Sequence, residues 1–154
     1  MGKFDGKINA EFTPPKTWVL SKSLSFISNK LTSKQIRCLE VVGANINNLT
    51  GKITCEEGMK TDLASVPRIC WAFIAPWDVA RGAVIHDHLY ASLRKYYHGN
   101  TFHKPTWKKA RAISDKVFLL GMNSAEPPVP KWKKYAAYYS VRRCGGKPAS
   151  KNAD

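Results

Sequence analysis

Acidic residues are scarce in this 154-residue chain: 11 Asp and Glu face 25 Lys and Arg, a formal net charge of +14. That imbalance points to an anionic partner, nucleic acid or a phospholipid surface, and is silent about fold. Long apolar runs are missing as well. Those around Ile69–Ala75 and Ala136–Tyr139 fall far short of the roughly 18 residues that cross a bilayer. The start Met1-Gly2-Lys3-Phe4-Asp5 has no apolar core of the signal-peptide kind, so a soluble protein kept in the cytosol is expected, with no transmembrane segment. Cys38, Cys55, Cys70 and Cys144 are widely spaced and form no C-x-x-C pair, which favours free thiols over a disulfide framework or a zinc cage. Internal repeats and low-complexity tracts are absent too. What remains is an ordinary globular composition, 44% hydrophobic and 11% aromatic, in a chain long enough for one buried core.

The charge is concentrated at one end. Residues 90–154 hold 14 Lys and Arg against Asp115, Glu126 and Asp154, a net of +11. Secondary-structure signals divide the chain nearby. Up to residue 60 the apolar runs are short and separated by Pro14-Pro15, Gly43, Asn47-Asn48 and Gly51, and Lys7–Phe12, Thr17–Leu20, Ile36–Val42 and Lys52–Cys55 read as strands. Beyond residue 68 the spacing becomes helical, near Arg68–Ile74, Trp77–Lys95, Pro105–Asn123 and Pro130–Arg143. The expected fold is α+β: an N-terminal antiparallel β-sheet followed by three or four C-terminal helices, two of them an antiparallel pair. Residues 1–144 form one globular domain in this reading, and 145–154 a flexible polar tail.

Within Trp77–Lys95, the residues Val79, Ala83, His86, Tyr90 and Leu93 fall on one stripe at 100° per residue. His86 therefore faces the core or a cleft, with Asp87 at the stripe's edge. The next helix places Asp115 on the same face as Ala112, Phe118, Leu119 and Met122. Burying an unpaired carboxylate costs several kcal/mol, so Asp115 requires a partner. His86 fits: in an antiparallel pair joined across Tyr96–Lys104, each lies roughly 12–15 Å from the connection at about 1.5 Å per residue. A carboxylate that accepts from one imidazole nitrogen fixes the tautomer and leaves the other to take a proton from water, which is a two-residue general base.

His86-Asp87-x-x-Tyr90 followed by Asp115-x-x-Phe118 resembles the core of phospholipase A2 enzymes, over about 40 residues. The resemblance implies that His86 activates water, Asp115 orients it, Tyr90 supports the pair and Asp87 binds calcium. The glycine-rich calcium loop of those enzymes has no counterpart here, because Thr61-Asp62-Leu63-Ala64-Ser65-Val66-Pro67-Arg68 contains no glycine. Thr61-Asp62-x-Ala64-Ser65-Val66-Pro67-Arg68, then His86-Asp87-x-Leu89-Tyr90, then Asp115-x-x-Phe118 is similar to a family of small phage and prophage proteins of unassigned function. That likeness runs from Lys52 to about Arg143 and implies a bacteriophage protein in the host cytoplasm, or incorporated in the virion. Asp62, Ser65 and Arg68 belong to its motif. Ser65 suits a helix cap and Pro67 a first turn, while Asp62 is either structural or a third polar group near His86.

Each feature also has a plain structural reading. A buried His–Asp pair can simply fix helix register. His88, His98 and His103 read as surface residues, and a zinc site from His86, His88 and His103 is poorly served by His-x-His on a helix, whose rings splay about 200° apart. In Lys131–Arg143, Trp132, Tyr135 and Tyr139 share a face and read as core with a solvated lysine rim, or as a face that docks on lipid headgroups or nucleic acid. Three functions follow: a phage accessory protein with a phospholipase-A2-like hydrolase site, a non-enzymatic virion or assembly protein that grips DNA or a neighbouring subunit, and a small basic effector that binds host nucleic acid or an acidic host protein.

Overall fold

The structure, a computed structural model, describes residues 2–14, 17–61, 76–126 and 128–152. The segment Arg68–Ile74 expected as a helix, together with Asp62, Ser65, Arg68 and Cys70, lies outside the described residues.

The fold is α+β, with N-terminal antiparallel strands followed by C-terminal helices. The strands make two small sheets where one was expected. In the first, β1 (Gly2–Phe4), β4 (Leu24–Ser28) and β5 (Ile53–Cys55) pair in the order β1-β4-β5. In the second, β2 (Ala10–Thr13), β3 (Thr17–Leu20) and β6 (Lys60–Thr61) pair in the order β2-β3-β6. All four pairings are antiparallel.

Ile36–Val42, read as a strand, belongs instead to helix α1 (Ser33–Val41). Thr32 caps it: its hydroxyl accepts from the Gln35 backbone N–H at 3.3 Å, and the Gln35 side chain accepts from the Thr32 N–H at 3.1 Å. This reciprocal pair satisfies two amide donors that a helix start leaves unbonded. Ile36 and Leu39, three residues apart, are the buried face.

Four helices follow among the described residues: α2 (Pro76–Tyr97), α3 (Lys104–Asn123), α4 (Lys131–Cys144) and α5 (Gly146–Ser150). The tail expected from residue 145 is therefore helical through Ser150. Ala149 is fully buried, Arg94 donates to the Pro148 carbonyl at 3.2 Å, and His98 Nε2 lies 2.9 Å from the Ser150 carbonyl. These bonds fix α5 to the end of α2, contacts that composition alone does not encode.

The helices α2 and α3 are antiparallel neighbours. Early in α2, Gly82 meets Phe118 and Gly121 late in α3, while the Tyr97 ring at the end of α2 lies 5.4 Å from Trp107 at the start of α3. Glycine at both crossing positions allows this approach, since a Cβ on Gly121 would come within 3.0 Å of the Gly82 Cα.

Three apolar clusters surround the middle of this pair. One joins the strands and α1 to Val84, Ile85, Leu89, Ile113 and Val117. A second joins Val79, Ala83, Phe118 and Met122 to Ala137 and Val141 of α4. A third gathers Tyr90, Leu93, Tyr96, Trp107 and Ala110 with Val42 and Ala149. His86 packs between the second and third of these, against Phe118 and Tyr90.

Candidate functional site

The α2–α3 pairing brings His86 and Asp115 together, Nε2 to Oδ1 at 2.9 Å, with both side chains fully buried. The same carboxylate takes two more donors. The Tyr90 hydroxyl donates to Oδ1 at 2.7 Å, and Arg142 of α4 donates to Oδ2 at 2.8 Å. Burial by itself would raise the Asp115 pKa. The hydrogen bonds from His86, Tyr90 and Arg142, with the charge on His86, outweigh it and hold the carboxyl below its ordinary range. An ionised carboxylate only accepts, so His86 Nε2 carries the hydrogen of this bond. The ring packs between Tyr90, 4.1 Å away between centroids, and Phe118, 5.0 Å away.

Tyr90 is held in turn. Burial and the neighbouring Asp115 raise its pKa, so the phenol remains a donor. Gly145, at the junction of α4 and α5, packs directly on its hydroxyl: a Cβ there would collide with Tyr90 and with the Val141 carbonyl. Arg111 of α3 holds the backbone beside Arg142, donating from both terminal nitrogens to the Arg142 carbonyl at 3.3 Å.

Asp87 points elsewhere on α2. It is nearly buried, and its Oδ2 accepts from the hydroxyl of Thr61, the last residue of β6. Its charge is felt by Cys55 on β5, whose thiol is pushed up to about 12 by burial, by Asp87 and by Glu56. Spacing puts Asp87 at the edge of the stripe, facing the cleft mouth or solvent, and the phospholipase-A2 resemblance implies a calcium ligand there. Among the described residues no group of three or more His, Cys, Asp or Glu is placed to hold a metal ion.

The remaining histidines have structural partners and do not converge on His86. His88 Nε2 accepts from the Asn45 amide at 3.1 Å, and burial followed by the charge of Lys95 lowers its pKa. His103 Nδ1 lies 2.8 Å from the Thr106 hydroxyl at the start of α3. Cys38, Cys55 and Cys144 are free thiols.

On α4 the core reading of the aromatics is overturned. Trp132, Tyr135 and Tyr139 are 62%, 47% and 63% exposed, and the helix buries Ala137 and Val141 instead. Small side chains face α2 and α3, so the large rings stand outward.

The network that spacing reasoning missed is Arg142, Thr61, Arg111, Phe118 and Gly145. Thr61 and Phe118 stood inside recognised motifs without a role. Arg142 was one cation among many on α4, and only tertiary packing singles it out.

The class so defined is an α+β protein whose antiparallel helix pair encloses a His–Asp dyad braced by a tyrosine and an arginine. The chain belongs to the family described as "Protein of unknown function (DUF1353)", which matches it over residues 43–141. That span holds β5, β6, α2 and α3, hence His86, Asp87, Tyr90 and Asp115, and ends at Val141, one residue short of Arg142. Neither the curated proteins nor the solved structures contain a match to the chain.

Proposed function

We propose that this protein is a hydrolase of the phospholipase-A2 kind, a phage-encoded accessory enzyme acting on an ester, with phospholipid the first substrate to try. The observation that carries the reading is the 2.9 Å bond from His86 Nε2 to an Asp115 carboxylate already fixed by Tyr90 and Arg142. Such a carboxylate can neither rotate nor take up a proton easily, so it orients the imidazole and stabilises the imidazolium that forms when the ring takes a proton from water. His86 is the base, Asp115 its orienter and Tyr90 a brace on Asp115. Asp87 is the residue left for a metal, should one bind. Because the dyad is fully buried, turnover requires the site to open to water and substrate.

The test is ester hydrolysis on mixed phospholipid vesicles and on a soluble aryl ester, with calcium and with chelator. His86→Gln should keep the wild-type melting temperature within a few degrees and lose about 10²–10⁴-fold in rate. Absence of turnover by the wild-type protein under every condition would overturn the proposal.

That same burial favours a second reading, in which the cluster is a polar core that locks α2, α3 and α4 in register and the protein is a non-enzymatic virion or assembly component. His86→Gln then costs stability and has no activity to remove.

A further inference from the structure

The outer face of α4 has no role in the dyad, yet its chemistry is specific. Trp132, Tyr135 and Tyr139 fall within about 60° of one another at helical spacing, and all three are exposed. Tyr135 and Tyr139 stack at 6.2 Å between centroids with planes 29° apart, and Lys133 sits over the Trp132 ring at 5.8 Å. The 14-residue helix carries Lys131, Lys133, Lys134, Arg142 and Arg143 and no acid. Arg142 is spent on Asp115; Lys131 and Arg143 are exposed on the same side of the helix as the rings, and Lys133 reaches the Trp132 ring.

We propose that this face binds single-stranded nucleic acid, with bases on the rings and phosphates on Lys131, Lys133 and Arg143. The charge is complementary to a polyanion, and stacking with phosphate pairing is how sequence-tolerant single-strand binders work. A bilayer fits less well. Interfacial helices segregate a broad apolar face, rich in Leu and Phe, from a charged one. Here the aliphatic residues Ala137 and Val141 are turned inward against α2 and α3, and the outward face interleaves rings with cations. Duplex DNA offers the rings no open base faces. The inference is independent of the hydrolase reading, since the bonds that hold Asp115 come from His86, Tyr90 and Arg142 and not from these rings.

The experiment is fluorescence anisotropy of the full chain with a labelled single-stranded DNA of about a dozen nucleotides, over a salt series. Tyr139→Leu and Trp132→Ala should each weaken binding by about 5- to 100-fold, and Tyr139→Phe should bind like wild type. Lys131→Gln should lower the slope of log affinity against log salt by about 0.7 if it meets one phosphate. These positions are at the surface, and circular dichroism of each variant confirms that the helix is intact. Parallel sedimentation with vesicles of phosphatidylserine and phosphatidylcholine in equal parts supplies the contrast. Binding to vesicles but not to the single strand, equal affinity for single strand and duplex, or tight binding by Tyr139→Leu would each overturn the proposal.

Discussion

Arg142 reaches from α4 to within 2.8 Å of the Asp115 Oδ2, so a mostly buried arginine joins the last long helix to a carboxylate buried between the two before it. Removing either partner has unequal consequences. Arg142→Met keeps the apolar stem and leaves Asp115 with His86 and Tyr90, for an expected loss of about 1–3 kcal/mol. Asp115→Ala strands three donors, two of them buried, and should cost about 3–5 kcal/mol. Urea unfolding of both variants checks the order. Equal losses would mean that the arginine, not the histidine and tyrosine, carries most of what Asp115 contributes.

Acid should weaken the protein through the same carboxylate. The folded pKa of Asp115 is lowered from its ordinary 3.8, so as pH falls below that value the unfolded chain takes up a proton that the native one refuses. Stability from this group is complete above about pH 5 and is lost as pH drops through the lowered folded value, at no more than about 1.4 kcal/mol per pH unit. Between pH 6 and pH 2 the urea midpoint of the wild type should fall more steeply than that of Asp115→Asn. Parallel curves would show that other carboxylates dominate acid unfolding.

How far the sequence reaches is clearest in these residues. The stripe Val79, Ala83, His86, Tyr90 and Leu93, together with Asp115 on an apolar face, located the dyad because helical periodicity and the cost of an unpaired buried carboxylate are local arguments. Arg142 and Gly145 were not legible. Their partners lie 27 and 55 positions away, and nothing in a run of cations marks the one that turns inward. Ile36–Val42 failed differently. Its β-branched residues suggested a strand, while Thr32-Ser33-Lys34-Gln35 ahead of it held a helix-start signature that decides the matter. The rings of α4 misled because an aromatic stripe is ordinarily core, and here Ala137 and Val141 take that place.

The thiols should separate by environment. Cys144 is exposed, whereas Cys55 is fully buried and its pKa stands at about 12. Maleimide labelling read by peptide mass spectrometry should modify Cys144 rapidly and Cys55 only on unfolding, since the thiolate is the reactive form. The raised pKa also carries a sign at high pH. Above the ordinary thiol value of 9.0 the unfolded chain loses a proton that native Cys55 keeps, so stability present below pH 9 declines as pH rises toward 12. Cys55→Ala should flatten that decline, at the cost of a small cavity near Val84. An unchanged alkaline slope would assign the loss to Tyr90, whose pKa is raised as well.

Gly145 offers the sharpest test of how the brace on Asp115 is held. Its φ of −71° suits any residue, so the requirement for glycine is spatial: an added methyl group would overlap the Tyr90 hydroxyl and the Val141 carbonyl. Gly145→Ala must therefore shift α5 or push Tyr90 off Asp115, with an expected cost of about 1–3 kcal/mol. Tyr90→Phe distinguishes the two routes, because it removes the oxygen the methyl would strike. If the tyrosine yields, Gly145→Ala should cost less in the Tyr90→Phe background than in the wild type, and a double-mutant cycle from urea unfolding measures that coupling. Strict additivity would place the strain on the Val141 carbonyl and the α4–α5 junction, leaving the hydrogen bond to Asp115 intact.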